Sequence, residues 1–383
     1  MTDRKGGVAL RVVVAPDKFK GTLTSQQAAR AMAAGVRQAV PSAEVVIVAV
    51  ADGGEGTVAA AVSAGARQQY AEVEDALGTT VRAGWATLAR TAVLESAQAC
   101  GLQRIQVTAR SSLASSSAGV GQLMAAALDA GCDELVIGLG GSACTDGGAG
   151  MASALGARLL DSHGRQLCPG GGALTDLAVI DAAGLDRRLA HIAVRIACDV
   201  SSPLLGPHGA ARTFGPQKGA GAEEISRLEA GLTHYAELVR RCLGIEVSHL
   251  AGGGAAGGLA AGLVAFASGH IVFGVEYLLQ LVDFPARLAG AALVITGEGC
   301  LDEQSLAGKA PAGVARMAQA AGVPVLAIAG RVELASSRLA ELGIVGSHAL
   351  VDAAPQDAER DAAAVLTAVT AAAVAGWQRR WID

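Results

Sequence analysis

Asparagine is absent from this 383-residue chain, and only five of its thirty basic residues are lysine. Aromatic residues make up 3% of the composition, no basic run is present, and the formal net charge is −5, which excludes nucleic acid as a main partner. No apolar stretch of about eighteen residues escapes interruption by charge or glycine, so a membrane span is excluded as well. The run Val12-Val13-Val14-Ala15 is too short for a signal peptide and reads as a first strand. A cytoplasmic protein is the resulting expectation. Seven cysteines are spread without any C-x-x-C pair, as buried reduced thiols would be, and Cys144, Cys198 and Cys300 read as small apolar filler. The seven histidines show neither H-E-x-x-H nor paired zinc-finger spacing, so no zinc site is expected.

What lysine remains is concentrated. Lys18 and Lys20 lie in Ala15-Pro16-Asp17-Lys18-Phe19-Lys20-Gly21-Thr22, Lys218 in Gly215-Pro216-Gln217-Lys218-Gly219, and Lys309 in Gly308-Lys309-Ala310-Pro311. A chain that has drifted toward arginine keeps lysine where a compact, flexible ammonium does what a planar guanidinium cannot. Four ammonium groups among glycines suit phosphate; solvated loops are the plainer reading.

Short apolar runs alternate with Ala-rich helical patterns. Val12–Ala15, a helix from about Thr24 to Ala39 with Thr24 as N-cap, and Glu44–Val50 form a strand–helix–strand unit, which predicts a parallel sheet with right-handed crossovers. Near residue 75 the pattern changes, and Val81–Arg90 and Thr91–Glu95 read as antiparallel strands. Leu135–Leu139 reads as a strand, Met151–Leu160 and Leu259–Ala267 as helices. From Leu293 the parallel rhythm resumes with Leu293–Thr296, a helix at Gly313–Ala321, Val325–Ala329 and a last helix from about Asp357 to Arg379. The expected fold class is α/β in two domains. Residues 1–75 and 292–383 would share a flavodoxin- or Rossmann-like parallel sheet, and residues 76–291 would form an inserted mixed α/β domain.

Charged residues sit inside glycine-rich turns at strand ends, where open α/β sheets bind ligands. Gly140-Gly141-Ser142-Ala143-Cys144-Thr145-Asp146-Gly147-Gly148-Ala149-Gly150 follows a buried strand, and its amides can turn toward an anion. Ser142 and Asp146 within it favour phosphate or metal–phosphate over a merely tight connection. Asp52-Gly53-Gly54-Glu55-Gly56-Thr57 carries two carboxylates three residues apart, a pattern that fits Mg²⁺ or, equally, helix capping. Glu298, in Thr296-Gly297-Glu298-Gly299-Cys300-Leu301-Asp302, repeats the idea ahead of Lys309. Carboxylates and lysines converging on strand ends are what phosphoryl transfer needs, because that reaction asks for alignment and charge neutralisation. Asp199, in Cys198-Asp199-Val200-Ser201-Ser202-Pro203, is the candidate general base, or else a turn-forming Asp before proline. Gly252-Gly253-Gly254-Ala255-Ala256-Gly257-Gly258 brings a main chain close to a ligand or packs two elements tightly.

Taken together, Ala15–Leu23, Ala51–Thr57, Ile137–Gly150, Cys198–Gly219, Gly252–Leu259 and Thr296–Ala315 resemble, in order and spacing, the type I glycerate kinase family. The resemblance covers nearly the whole chain. It implies two α/β domains with the active site in the cleft between them, and ATP-dependent phosphorylation of D-glycerate to 2-phosphoglycerate. Asp199 matches the family's catalytic base, with Lys18 and Lys20 beside it in the catalytic set. Lys18, Lys20, Lys218 and Lys309 match family positions suited to phosphate or the glycerate carboxylate; the residues read here as nucleotide-binding are Gly140, Gly141, Ser142, Asp146, Lys218, Gly253, Gly254 and Lys309, and as Mg²⁺ ligands Asp52, Glu55 and Glu298. A related sugar acid such as erythronate or tartronate is the alternative substrate, and a catalytically inactive metabolite sensor is the alternative of another class. A monomer or homodimer is expected. The chain departs from the family at Thr145 and Ser202, where Asn is common, and at Cys300, where Arg is common. Thr and Ser still hydrogen-bond; Cys300 removes a charge.

Overall fold

The computed structural model describes residues 10–19, 21–306 and 308–381. The chain divides into two compact units, one built up to Ala51 and again from Val275 onward, the other from Asp52–Gly274.

The first unit holds five strands in the spatial order Ile344–Ala349, Val325–Ala329, Leu293–Thr296, Arg11–Val14, Glu44–Ile47, every neighbouring pair parallel. Counted along the chain this is 2-1-3-4-5, the flavodoxin order, whose direction of winding reverses between the first and third strands. The three central strands, Arg11–Val14, Leu293–Thr296 and Val325–Ala329, are nearly continuous buried apolar runs, as strands covered on both faces are. The helix Ser25–Ala39 begins with a complete capping box in which the Thr24 side chain accepts from the Gln27 amide. It crosses the last helix, Ala362–Trp381, at Gly35, where an added Cβ would lie 2.4 Å from the Thr367 carbonyl. Met32, Val36, Leu293, Ile295, Leu366 and Trp377 lie together in this unit's core.

In the second unit six strands run in the order His270–Val272, Ala193–Ala197, Glu134–Gly138, Thr91–Glu95, Thr80–Leu88, Arg67–Glu74. The first four are parallel and the last two join antiparallel, so the sheet is mixed. The α/β fold class read from the sequence is therefore the observed one.

Three expectations change. The division between units falls at 51/52 and 274/275, not at 75/76 and 291/292, because Arg67–Glu74 pairs along its whole length with Thr80–Leu88. The helix expected at Met151–Leu160 ends at Ala154. Gly156 then turns at φ +104°, and Arg158–Asp161 pairs as a strand with Leu177–Asp181. The last helix starts at Ala362 and not at Asp357.

Candidate active site

The parallel strands of the second unit end level with one another: Glu95 pairs in register with Gly138, Gly138 with Ala197, and Ala197 with Val272. Beyond this edge emerge Gly140–Ser142, Cys198–Asp199 and Phe273–Gly274. Across it lies the Asp52–Thr57 loop, held by backbone contacts that leave no room for side chains. Gly140 donates its amide to the Gly53 carbonyl at 3.2 Å. A Cβ would lie 2.5 Å from the Ala197 carbonyl at Gly53, 2.6 Å from the Gly53 carbonyl at Gly138, and 2.5 Å from the Gly54 Cα at Gly140. These glycines are required by close approach of chains.

Carboxylates are fixed at the same edge. Asp199 Oδ1 accepts the Gly274 amide at 2.8 Å, and Asp52 Oδ1 accepts the Gly54 amide at 3.0 Å. Gln103 Nε2 donates to both Glu55 oxygens at 3.3 Å, and Glu55 packs against Gly141. The structure thus brings Asp52, Glu55, Gly140, Gly141 and Asp199 to one sheet edge.

The glycine loop itself is organised around an internal anion. Asp146 is fully buried, and its Oδ2 accepts from Ser117 N at 2.8 Å, Ser117 Oγ at 2.9 Å and Gly150 N at 3.1 Å, while Oδ1 accepts Gly148 N at 3.1 Å. The amides of Gly148 and Gly150 are therefore committed to the loop's own carboxylate. Ser142 is buried in a bridge with Gly101. Lys218 is also buried, and its ammonium donates to the Cys144 carbonyl at 2.6 Å; burial lowers its pKa. In this structure Asp146 and Lys218 shape the loop from inside.

Gly252–Gly258 wedges between two of these segments. Gly254 donates to the Ser202 carbonyl at 2.9 Å, and a Cβ on it would meet the Pro203 carbonyl at 2.2 Å. Ala256, Gly257 and Gly258 follow with φ of 52°, 67° and 90°, a left-handed turn that presses Gly257 against Cys144 and Gly258 against Gly147. Gly253 donates to Leu250, within its own turn. The segment packs closely on both neighbours.

In the first unit, Ala15–Lys18 and Gly297–Glu298 leave adjacent strands at the point where the winding reverses. Asp17 donates its amide to the Gly297 carbonyl at 2.8 Å, and Thr296 Oγ1 donates to the Ala15 carbonyl at 2.8 Å. Lys18 is half-buried; Lys20 lies outside the described residues. Lys309, just ahead of the helix Ala310–Ala320, places its ammonium 3.6 Å from Glu298 Oε2 and 3.4 Å from Asp302 Oδ1. Glu298 is buried, its Oε1 without a hydrogen-bond partner, and burial pushes its pKa up against the opposing pull of Lys309.

This arrangement recurs in known proteins. The chain matches the glycerate kinase family over residues 12–378. The chain belongs to the glycerate kinase family. It is 45% identical over 343 residues to the glycerate kinase of Halalkalibacterium halodurans, covering 89% of this chain and 90% of that one. It is 42% identical to the glycerate 2-kinase of Escherichia coli K12, covering 89% of each chain. A crystal structure described as a glycerate kinase 2 from Salmonella typhimurium LT2 superposes with a TM-score of 0.85 at 41% identity, over 98% of this chain and 100% of that one. As a glycerate kinase family member the chain is a phosphotransferase with an alcohol acceptor, a class that uses ATP. No helix among the described residues is long and apolar enough to cross a membrane.

Three residues that shape this family member's site were not singled out from the sequence. Glu95 was read only as the end of a strand, and Ser117 and Gln103 not at all. Glu95 had a usable signal: a charged residue closing the apolar run Ala92-Val93-Leu94. Ser117 and Gln103 had none, because their partners lie 29 and 48 residues away.

Proposed function

We propose that the chain transfers the terminal phosphoryl group of ATP to the 2-hydroxyl of D-glycerate, releasing ADP and 2-phosphoglycerate. The observation that carries this reading is Asp199 held at the edge where the Asp52–Thr57 loop and Gly140–Gly141 meet, in a chain of this family. Asp199 accepts the hydroxyl proton as that oxygen attacks the γ-phosphorus, and the Gly274 amide keeps its carboxylate aimed. Gly140, Gly141, Ser142, Gly253 and Gly254 let the main chain approach the nucleotide, and Lys18 and Lys309 offer ammonium groups to the transferred phosphoryl and to the acceptor's carboxylate. Asp146 and Lys218 keep the loop in shape for that task.

The residues also fit a magnesium ion that arrives with ATP. Among the described residues no three His, Cys, Asp or Glu side chains form a closed metal cage. Mg²⁺ needs none, since it takes one or two carboxylates and completes its shell from phosphate oxygens and water. Asp52 and Glu55, on one loop, are the residues that would hold it. When bound, the ion neutralises charge on the nucleotide phosphates.

Phosphorus NMR of the purified chain with ATP, Mg²⁺ and D-glycerate tests the reading. A 2-phosphoglycerate resonance supports it. A 3-phosphoglycerate resonance overturns the regiochemistry, and unchanged ATP overturns glycerate as acceptor.

A further inference from the structure

The Asp52–Thr57 loop is held down by a residue some forty positions further along. Glu95 is the last residue of its strand, 3% exposed, paired in register with Gly138. Its Oε2 accepts the amides of both Gly56 and Val58 at 3.2 Å. Gly56 sits at φ +100° and makes no side-chain cap of its own, so the start of the helix Thr57–Ser63 finds this acceptor across the sheet and not within the helix. The rest of the loop touches its platform through glycine backbone, Gly53 on Ala197 and Gly138 and Gly54 on Gly140, and through the Glu55 side chain on Gln103. Such contacts set how close the loop comes but leave the helix start unheld. The Glu95 carboxylate holds it with two side-chain hydrogen bonds to backbone amides. Asp52 and Glu55 lie upstream in the same loop, their oxygens bonded to the Gly54 amide and to Gln103.

We propose that Glu95 is a positioning residue for the phosphoryl-transfer site, anchoring the Asp52–Thr57 loop through the amides of Gly56 and Val58. The proposal rests on the reading that Asp52 and Glu55 serve the metal–nucleotide. Glu95 touches neither substrate nor reacting atoms; it acts through the loop. Reach matters more than charge in this role. Glutamine keeps a carbonyl oxygen at the same distance, whereas aspartate keeps the charge and withdraws it by one methylene.

The test uses the full chain with Glu95→Gln, Glu95→Asp and Glu95→Ala, read by amide hydrogen exchange and by steady-state kinetics. Exchange at Gly56 and Val58 is expected to quicken at least about tenfold in Glu95→Ala and Glu95→Asp and to stay near the parent rate in Glu95→Gln. KM for Mg·ATP should rise about tenfold in the same two variants, with KM for D-glycerate unchanged. Unchanged exchange in Glu95→Asp overturns the proposal. So does a Glu95→Gln variant as impaired as Glu95→Asp, because an acceptor at the same reach would then not suffice. Faster exchange with no change in KM for Mg·ATP overturns the proposal by a different route: the anchor would be real, and the assignment of Asp52 and Glu55 to the nucleotide wrong. Should Glu95→Ala fail to fold, the Gln and Asp pair still decides.

Discussion

Asp199 Oδ1 and the Gly274 amide are 2.8 Å apart, and Gly274 is the residue at which the second unit ends. The carboxylate assigned the proton in the proposed reaction is thus oriented from the end of the neighbouring strand, 75 residues further along the chain. Gly274 also runs past the Asp52 carbonyl, so a single glycine lies against the base and against the loop that carries the carboxylate pair.

Gly274→Ala should therefore damage catalysis without unfolding the protein. The added Cβ would lie 2.9 Å from the Asp52 carbonyl oxygen and 3.1 Å from Asp199 Oδ2. The side-chain oxygen can yield, but the backbone carbonyl must shift. A displacement of that kind at a catalytic group costs on the order of a hundredfold in kcat. Circular dichroism should match the parent while the ADP-release rate falls; an unaltered rate would contradict the placement.

Ala256 is the non-glycine member of a left-handed turn, at φ 52° and ψ 38°. That conformation costs an L-residue about 1–2 kcal/mol, and glycine's added unfolded-state entropy returns about 0.5–1 kcal/mol. Ala256→Gly should stabilise the second unit by up to about 1 kcal/mol, raising its calorimetric transition by about 2 °C. A lower transition would mean that the methyl group's packing outweighs the strain.

Glu298 gives the first unit a pH-dependent component. Burial raises its pKa in the folded state above the unfolded value, so the folded state binds the proton more tightly. The associated stability is fully present below the unfolded glutamate pKa and is lost as pH rises through the raised folded value. In Glu298→Gln that component disappears. The difference in Tm between variant and parent, followed from pH 4 upward, should move in the variant's favour as pH rises. A flat difference would contradict the buried, ionisable state.

Thiol reactivity should sort by exposure. Cys168 and Cys242 are exposed, against the expectation that all seven cysteines are buried, because each lies on a surface turn or helix face. Burial pushes Cys198 up to about 11, and the hydrogen bond with Cys100 together with burial raises Cys144, so neither supplies thiolate at neutral pH. Titration with a disulfide reagent should modify Cys168 and Cys242 first. Cys100, Cys132, Cys144 and Cys198 should react only on unfolding; fast reaction at Cys198 would show its strand end to be open.

Much of this architecture was readable because strong local patterns agree with it. Leu293–Thr296 and Val325–Ala329 are uninterrupted apolar runs bounded by turn residues, and both strands fall where expected. Thr24 followed by Gln27 announces its capping box. The strand-end loops were found through their glycines, since close approach leaves that trace in sequence. Long-range partners leave none. The pairing of Arg158–Asp161 with Leu177–Asp181 was hidden inside a helical-looking run. The partners of Asp146, a candidate for phosphate binding, are Ser117 and the loop's own amides, and they are visible only in three dimensions.

Asp199 remains the residue on which the account turns, and Asp199→Asn is its most direct measurement. The substitution keeps size and a hydrogen-bond acceptor for the Gly274 amide while removing the base. Turnover of D-glycerate with Mg·ATP should fall by about a thousandfold, the scale of a lost general base, with D-glycerate affinity within about threefold of the parent by calorimetry. Turnover near the parent rate with affinity intact would contradict the assignment.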